Sequence, residues 1–209
     1  MLLAGAGAHA DFADRLYVTA AAGPAFAQNT TIQTPPFTGG QIDFDTGVRG
    51  DIAVGYNVCK AFAVELNTGV IWNSVNSIGG NSLSTYSAHA DLYQIPLMVN
   101  GIYKIPLKGP FKPYIGAGVG AVVGVFDSSG VPGFFFPTPG GSQSFDATDT
   151  EFAYQAEVGF NWQLGKHAEV GLAYKFLGTS SFTWNANDTP LKTDEIFTHA
   201  VTASFKWCF

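Results

Sequence analysis

Apolar and polar residues alternate one by one along much of this chain, in segments separated by polar stretches rich in Gly and Pro. Successive side chains of a strand point to opposite faces, so a period of two predicts strands with one apolar and one polar face. Residues 151–164 show it most cleanly. Phe152, Tyr154, Ala156, Val158, Phe160 and Trp162 fall on one face, and Glu151, Ala153, Gln155, Glu157, Gly159, Asn161 and Gln163 on the other. Residues 46–58 set Val48, Ile52, Val54 and Tyr56 against Arg49, Asp51 and Asn57. Residues 62–72 set Phe62, Val64, Leu66, Val70 and Trp72 against Glu65 and Asn67. Residues 86–103 set Tyr93, Ile95, Leu97 and Val99 against Gln94, Met98 and Asn100. Residues 113–126 alternate aliphatic side chains with Gly116, Gly118, Gly120 and Gly124. Residues 168–176 set Val170, Leu172, Tyr174 and Phe176 against Glu169 and Lys175. A first strand is expected over 16–27 and a last one over 195–209, where Val201, Ala203, Phe205, Trp207 and Phe209 share a face opposite Lys206. Pro24 and Pro96 cannot donate to a ladder, which predicts a bulge or an irregular edge at Pro24 and a bulge near Pro96.

These segments make eight strands, and their connections alternate. Short turns fall near 59–60, 104–112 and 165–167; long loops fall at 28–45, 73–85, 127–150 and 178–194. An even strand count with alternating short and long connections predicts an all-β fold, an eight-stranded antiparallel up-and-down transmembrane β-barrel. Charge follows the same division. Lys60, Lys104, Lys108, Lys112 and Lys166 fall in short turns, and Asp43, Asp45, Asp127, Asp146, Asp149, Asp188 and Asp194 fall in or beside long loops.

Composition narrows the class further. Apolar residues are 46% of the chain and charged residues only 12%, about half the usual charged share of a soluble domain. Yet no apolar run approaches the roughly 18 residues of a helical span. A net charge of −6 without a basic stripe excludes nucleic acid as a partner. Residues 1–10 end in Ala8-His9-Ala10, the small-x-small form of a signal-peptidase site. They read as a signal-peptide remnant, with the barrel domain over 15–209. Cys59 and Cys208 are far apart in sequence and are read as two free thiols near one membrane side. Neither cysteine has a CxxC or Cys/His metal spacing, and no cofactor, metal or catalytic residue is expected.

Terminal Phe209 follows Trp207 and Phe205 in alternation, and the chain also carries Tyr93-Gln94-Ile95-Pro96-Leu97 and Lys112-Pro113-Tyr114-Ile115-Gly116-Ala117-Gly118-Val119-Gly120. In these features it resembles the small bacterial outer-membrane β-barrels of the OmpA-like, opacity-type porin family. The resemblance implies residence in the outer membrane among lipid and lipopolysaccharide. It also implies that Phe205, Trp207 and Phe209 are an assembly signal read by the barrel-assembly machinery. The chain is expected to lack the periplasmic peptidoglycan-binding domain that some such barrels carry.

The polar faces together place Arg49, Asp51, Glu65, Asn67, Gln94, Asn100, Gln155, Glu157, Asn161, Glu169, Lys175 and Lys206 inside the barrel. Eight strands leave an interior just wide enough for side chains to fill, and acids and bases confined there must pair to offset desolvation. This predicts a non-enzymatic structural or surface-interaction protein with a polar, plugged interior and long extracellular loops. The same width also suits a narrow or gated passive channel for ions or small solutes. Some eight-stranded barrels are lipid-modifying enzymes that use a His with a Ser, but His9, His89, His167 and His199 match no such motif. A soluble lipocalin-like carrier would need an apolar cavity rather than polar inward faces. An extracellular partner of unknown identity is expected at the long loops. There Phe134-Phe135-Phe136 either meets lipopolysaccharide or a partner, or packs within its own loop.

Overall fold

A computed structural model describes residues 14–33, 39–80, 83–132, 142–186 and 189–209. Residues 1–10, Phe134-Phe135-Phe136 and Asp188 lie outside the described residues. The strands are β1 (Leu16–Ala27), β2 (Thr30–Thr31), β3 (Gln41–Phe44), β4 (Gly47–Asn57), β5 (Phe62–Gly80) and β6 (Leu83–Lys104). They continue as β7 (Phe111–Pro132), β8 (Ser142–Gln163), β9 (Ala168–Thr179), β10 (Thr183–Ala186), β11 (Thr189–Lys192) and β12 (Ile196–Cys208). The eight long strands pair antiparallel in the circular order β1-β4-β5-β6-β7-β8-β9-β12, with β12 returning to β1. Closure leaves no edge among them, so each long strand has a backbone partner on both sides. Short β2 and β3 continue the sheet beside β5, and β10–β11 is a separate hairpin.

The alternation sorts the side chains as expected. Val158 is 52% exposed and Leu97 57% on the outer face, whereas Arg49 and Gln155 are buried on the inner one. Outward aromatics gather in two bands. On the loop side Phe176 packs on Tyr154 at 6.1 Å, Phe197 at 5.8 Å and His199 at 5.3 Å between ring centroids. On the turn side Phe111 packs on Phe160 at 5.2 Å and Trp162 at 6.4 Å, and His167 on Trp207 at 5.9 Å. Such paired girdles sit at the two membrane–water interfaces, with an apolar band between them.

Three expectations need correction. Residues 73–80 and 83–85, read as loop, are strand, as are much of 127–132 and 142–150. The β5–β6 and β7–β8 hairpins continue beyond the bilayer, because ladder hydrogen bonds hold them where no lipid imposes alternation. Second, neither Pro24 nor Pro96 makes a bulge. Pro24 keeps its pairing to Val48 while the β1–β12 ladder skips it, and Pro96 keeps Val122 while the β5–β6 ladder skips it, each without a register change. A missing N–H costs a contact on one side only. The register shifts lie instead at Asp43/Phe44, Val75/Ser77, Ile78/Gly80 and Ser128/Val131.

The third correction concerns the interior, which is not polar along its whole length: buried polar residues there are joined by an apolar cluster on the loop side. Toward the loops Ile71, Leu92, Val122, Leu177, Ile196, Phe182 and Trp184 form one buried apolar cluster. Inward-facing aliphatics there meet one another rather than water, and apolar filling requires no pairing.

The barrel interior as candidate functional site

The middle layer follows from strand geometry. Arg49 and Asp51 stand two apart on β4, so both point inward. Arg49 Nε donates to Asp51 Oδ2 at 2.8 Å, and its Nη2 donates to Gln155 Oε1 at 2.6 Å. Gln155 Nε2 donates in turn to Asn100 Oδ1 at 3.3 Å. Lys175 Nζ donates to Asp51 Oδ2 at 2.9 Å and lies 3.7 Å from Glu157 Oε2. Glu157 and Lys175 are register partners across β8 and β9. The layer thus ties β4, β6, β8 and β9 across the barrel. Nearer the loops, Gln94 and the Thr198 hydroxyl share a long hydrogen bond of 3.4 Å.

Below this layer a cavity of about 330 Å³ lies on the turn side. Its floor includes Asp51, Glu157 and Lys175; its mouth carries Lys60, Lys104 and Lys112. Lys112 Nζ donates to Glu169 Oε1 at 2.7 Å, and Lys206 Nζ lies 3.8 Å from Glu169 Oε2. The Tyr17 hydroxyl donates to Glu65 Oε1 at 2.7 Å. Lys206 Nζ stands 3.6 Å from the centroid of the same Tyr17 ring, and Lys104 Nζ 5.2 Å. Lys104 also donates to Asn57 Oδ1. Asn67 Nδ2 donates to the Ile52 carbonyl at 3.2 Å. Among the described residues, Thr19 Oγ1, Asp51 Oδ1, Asn67 Oδ1 and Thr202 Oγ1 have no hydrogen-bond partner, and all four residues line the cavity. Asn161 lines it too.

The loop-side end is filled differently. Phe182 and Trp184 stack at 4.9 Å, and Trp184 packs on Phe126 at 5.9 Å. A Cβ on Gly124 would stand 2.6 Å from Trp184 Cη2 and 2.8 Å from Phe182 Cε1, so this glycine makes room for both rings. The Thr183 amide donates to Asp149 Oδ2 at 2.7 Å, and the Thr193 amide donates to the Phe182 carbonyl at 3.0 Å, which hold the segment in place.

The polar residues assigned inward from the sequence are buried or line the cavity: Arg49, Asp51, Asn100, Gln155, Glu157 and Lys175 form the middle layer, Glu65, Glu169 and Lys206 stand around Tyr17, Asn67 and Asn161 line the cavity, and Gln94 lies nearer the loops. Sequence reading missed Tyr17, and it left Lys104 and Lys112 in turns. The parity of Asn100 and Ile102 carries on to Lys104, and that of Gly116 runs back to Lys112. Following the period past the strand ends would have placed both lysines inward. Phe205, Trp207 and Phe209 are exposed on the outer face. His199 bonds the Tyr174 hydroxyl at 2.5 Å and Gln28 Nε2 at 2.8 Å within the loop-side girdle. His167 bonds the Cys208 carbonyl at 2.9 Å. Cys59 and Cys208 are both free thiols.

Comparison with known proteins agrees with this architecture. The profile of the outer membrane protein beta-barrel domain family matches residues 1–209. Outer membrane protein PagN of Salmonella typhimurium is 23% identical over 190 residues, covering 82% of this chain and 77% of PagN. The structure of neisserial surface protein A (NspA) superposes with a TM-score of 0.58 at 14% identity, covering 93% of this chain and 97% of that one. The outer membrane protease OmpT of Escherichia coli superposes at 0.57 with 8% identity, covering 94% and 97%. A fold shared with a surface protein and a protease fixes no activity by itself. The closed barrel of eight antiparallel strands, its aromatic girdles and the full-length family match lead to one statement: this chain belongs to the outer membrane protein beta-barrel domain family and resides in the bacterial outer membrane.

Proposed function

We propose that this protein is a non-enzymatic surface-interaction barrel whose interior is closed to through-flow. The observation that carries the reading is the buried Arg49–Asp51–Lys175 set under an apolar cluster. Arg49 has no exposure, and its carboxylate partner Asp51 is shared with Lys175. Ions crossing this layer would have to break those pairs and then pass Ile71, Leu92, Leu177 and Trp184. The extended β5–β6 and β7–β8 hairpins supply a strand-paired platform beyond the membrane, where loops carried on a scaffold do their recognition. Against an enzyme, the bonds of His199 are to a tyrosine and a glutamine, a girdle arrangement without a nucleophile–base pair. A second reading, a gated channel, is favoured by the turn-side cavity alone.

Planar-bilayer recording of the refolded full chain separates the two. The closed reading predicts a silent membrane at physiological salt. Discrete, reproducible current steps from wild-type protein would replace it with the channel.

A further inference from the structure

We propose that the turn-side vestibule binds an oxyanion of the phosphate class between Lys104 and Lys206. The inference does not depend on whether the interior conducts. Lys206 is 5% exposed, and its nearest carboxylate oxygen among the described residues is 3.8 Å away, beyond hydrogen-bond reach. Its ammonium carries three N–H donors, yet its close contact is the face of Tyr17 at 3.6 Å. Lys104 brings a second ammonium to within 5.2 Å of that ring. Each cation is attracted by the ring, but the two repel one another in a partly desolvated space where screening is weak. An anion between them removes that repulsion and accepts the unused donors.

The neighbours favour the same sign of ligand. Lys60, Lys104, Lys112 and Lys206 stand around the mouth half against Glu65 and Glu169. Glu169 is held by Lys112 at 2.7 Å, and Glu65 accepts from the Tyr17 hydroxyl at 2.7 Å. Thr19 and Thr202 offer hydroxyls without a hydrogen-bond partner among the described residues. Asp51 and Glu157 lie at the floor, so an anion is kept toward the mouth. About 330 Å³ holds a phosphate group with its bridging waters. A free periplasmic phosphate and the headgroup of an anionic phospholipid at the turn-side interface share this chemistry.

The test uses the full chain refolded in an amine-oxide detergent, which carries no phosphate. Inorganic phosphate is titrated by calorimetry at constant ionic strength. In parallel, protein from phosphatidylglycerol-containing vesicles is assayed for lipid phosphorus retained through detergent exchange. We expect saturable phosphate binding, retained lipid, or both. Lys206→Met or Lys104→Met should weaken it about tenfold, the scale of one charge-assisted hydrogen bond. Lys166→Met, in an exposed turn off the vestibule, should leave it unchanged. Phosphate binding without lipid retention identifies the free ion as the source; retention without phosphate binding identifies the headgroup. Lys60→Met changes an exposed mouth residue and keeps the test open should the Lys206 and Lys104 variants fail to fold. It is expected to weaken binding a few-fold, about the effect of one exposed charge. The proposal is overturned if wild type shows neither signal, or if Lys166→Met loses as much as the vestibule variants.

Discussion

Val158 and Asn161 lie on the same strand, yet they face different solvents. Val158 is 52% exposed on the lipid face, and Asn161 lines the cavity. An arginine at 158 must enter hydrocarbon, at a cost of about 2–4 kcal/mol near the midplane. Asn161→Arg avoids lipid and should cost less, leaving only crowding beside Gly171, whose built Cβ would stand 2.2 Å from Asn161 Oδ1. Urea unfolding of both variants in lipid vesicles checks this. A harmless Val158→Arg beside a destabilised Asn161→Arg would mean that the faces are reversed. At this scale the facing was legible wherever alternation was strong, as at Glu157 and Lys175. It was not legible at Tyr17, where small residues flank a weak pattern, nor at Lys104 and Lys112, whose charge reads as a solvated turn.

Among the elements, β12 and the β10–β11 hairpin carry distinct roles. The closing strand β12 pairs with β1 from Tyr17↔Cys208 to Ala27↔Thr198. Phe209 lies just past it, exposed on the outer face, with its amide donating to the Leu16 carbonyl at 3.2 Å. Phe209 is 54% exposed. Deleting Phe209 is therefore expected to slow appearance of folded protein in the outer membrane while changing urea stability by less than about 1 kcal/mol, as for other exposed positions. Unaltered folded levels in a pulse-chase would contradict the assembly role. Phe182, just before the hairpin, and Trp184 within it pack against Gly124, so Gly124→Val should expel the rings. Iodide quenching of tryptophan emission should then rise, because Trp184 is 2% exposed in the native barrel. Quenching equal to wild type would show that the mouth tolerates the added volume. The eight long strands were legible because lipid on one side and a crowded interior on the other impose period two. Their extensions were not, since beyond the membrane a ladder needs no apolar face; Asn73 and Ser74 read as loop yet pair with Leu92 and Asp91.

For the whole molecule, closure and the outward apolar band require residence in a bilayer. The protein is expected to stay in the pellet after carbonate washing and to migrate differently on gels when boiled and unboiled. Release as a soluble monomer without detergent would contradict this. What the barrel does depends on whether its charged core is a paired solid or a screened solution. Lys175 is the sharpest probe, because it touches both Asp51 and Glu157, and among the described residues Glu157 has no shorter ion pair than its 3.7 Å contact with Lys175. In a paired core Lys175→Met strands a buried carboxylate and costs about 3–5 kcal/mol. Adding Glu157→Gln removes that stranded charge and should restore part of the loss. In a water-filled pore the charges are screened and each change costs little. The decisive measurement is urea stability of Lys175→Met, Glu157→Gln and the double variant in one lipid system. A large loss for Lys175→Met, partly recovered in the double variant, is the predicted result. Losses for the single variants of less than about 1 kcal/mol each, the scale of screened exposed pairs, that simply add in the double variant would contradict the closed, paired core.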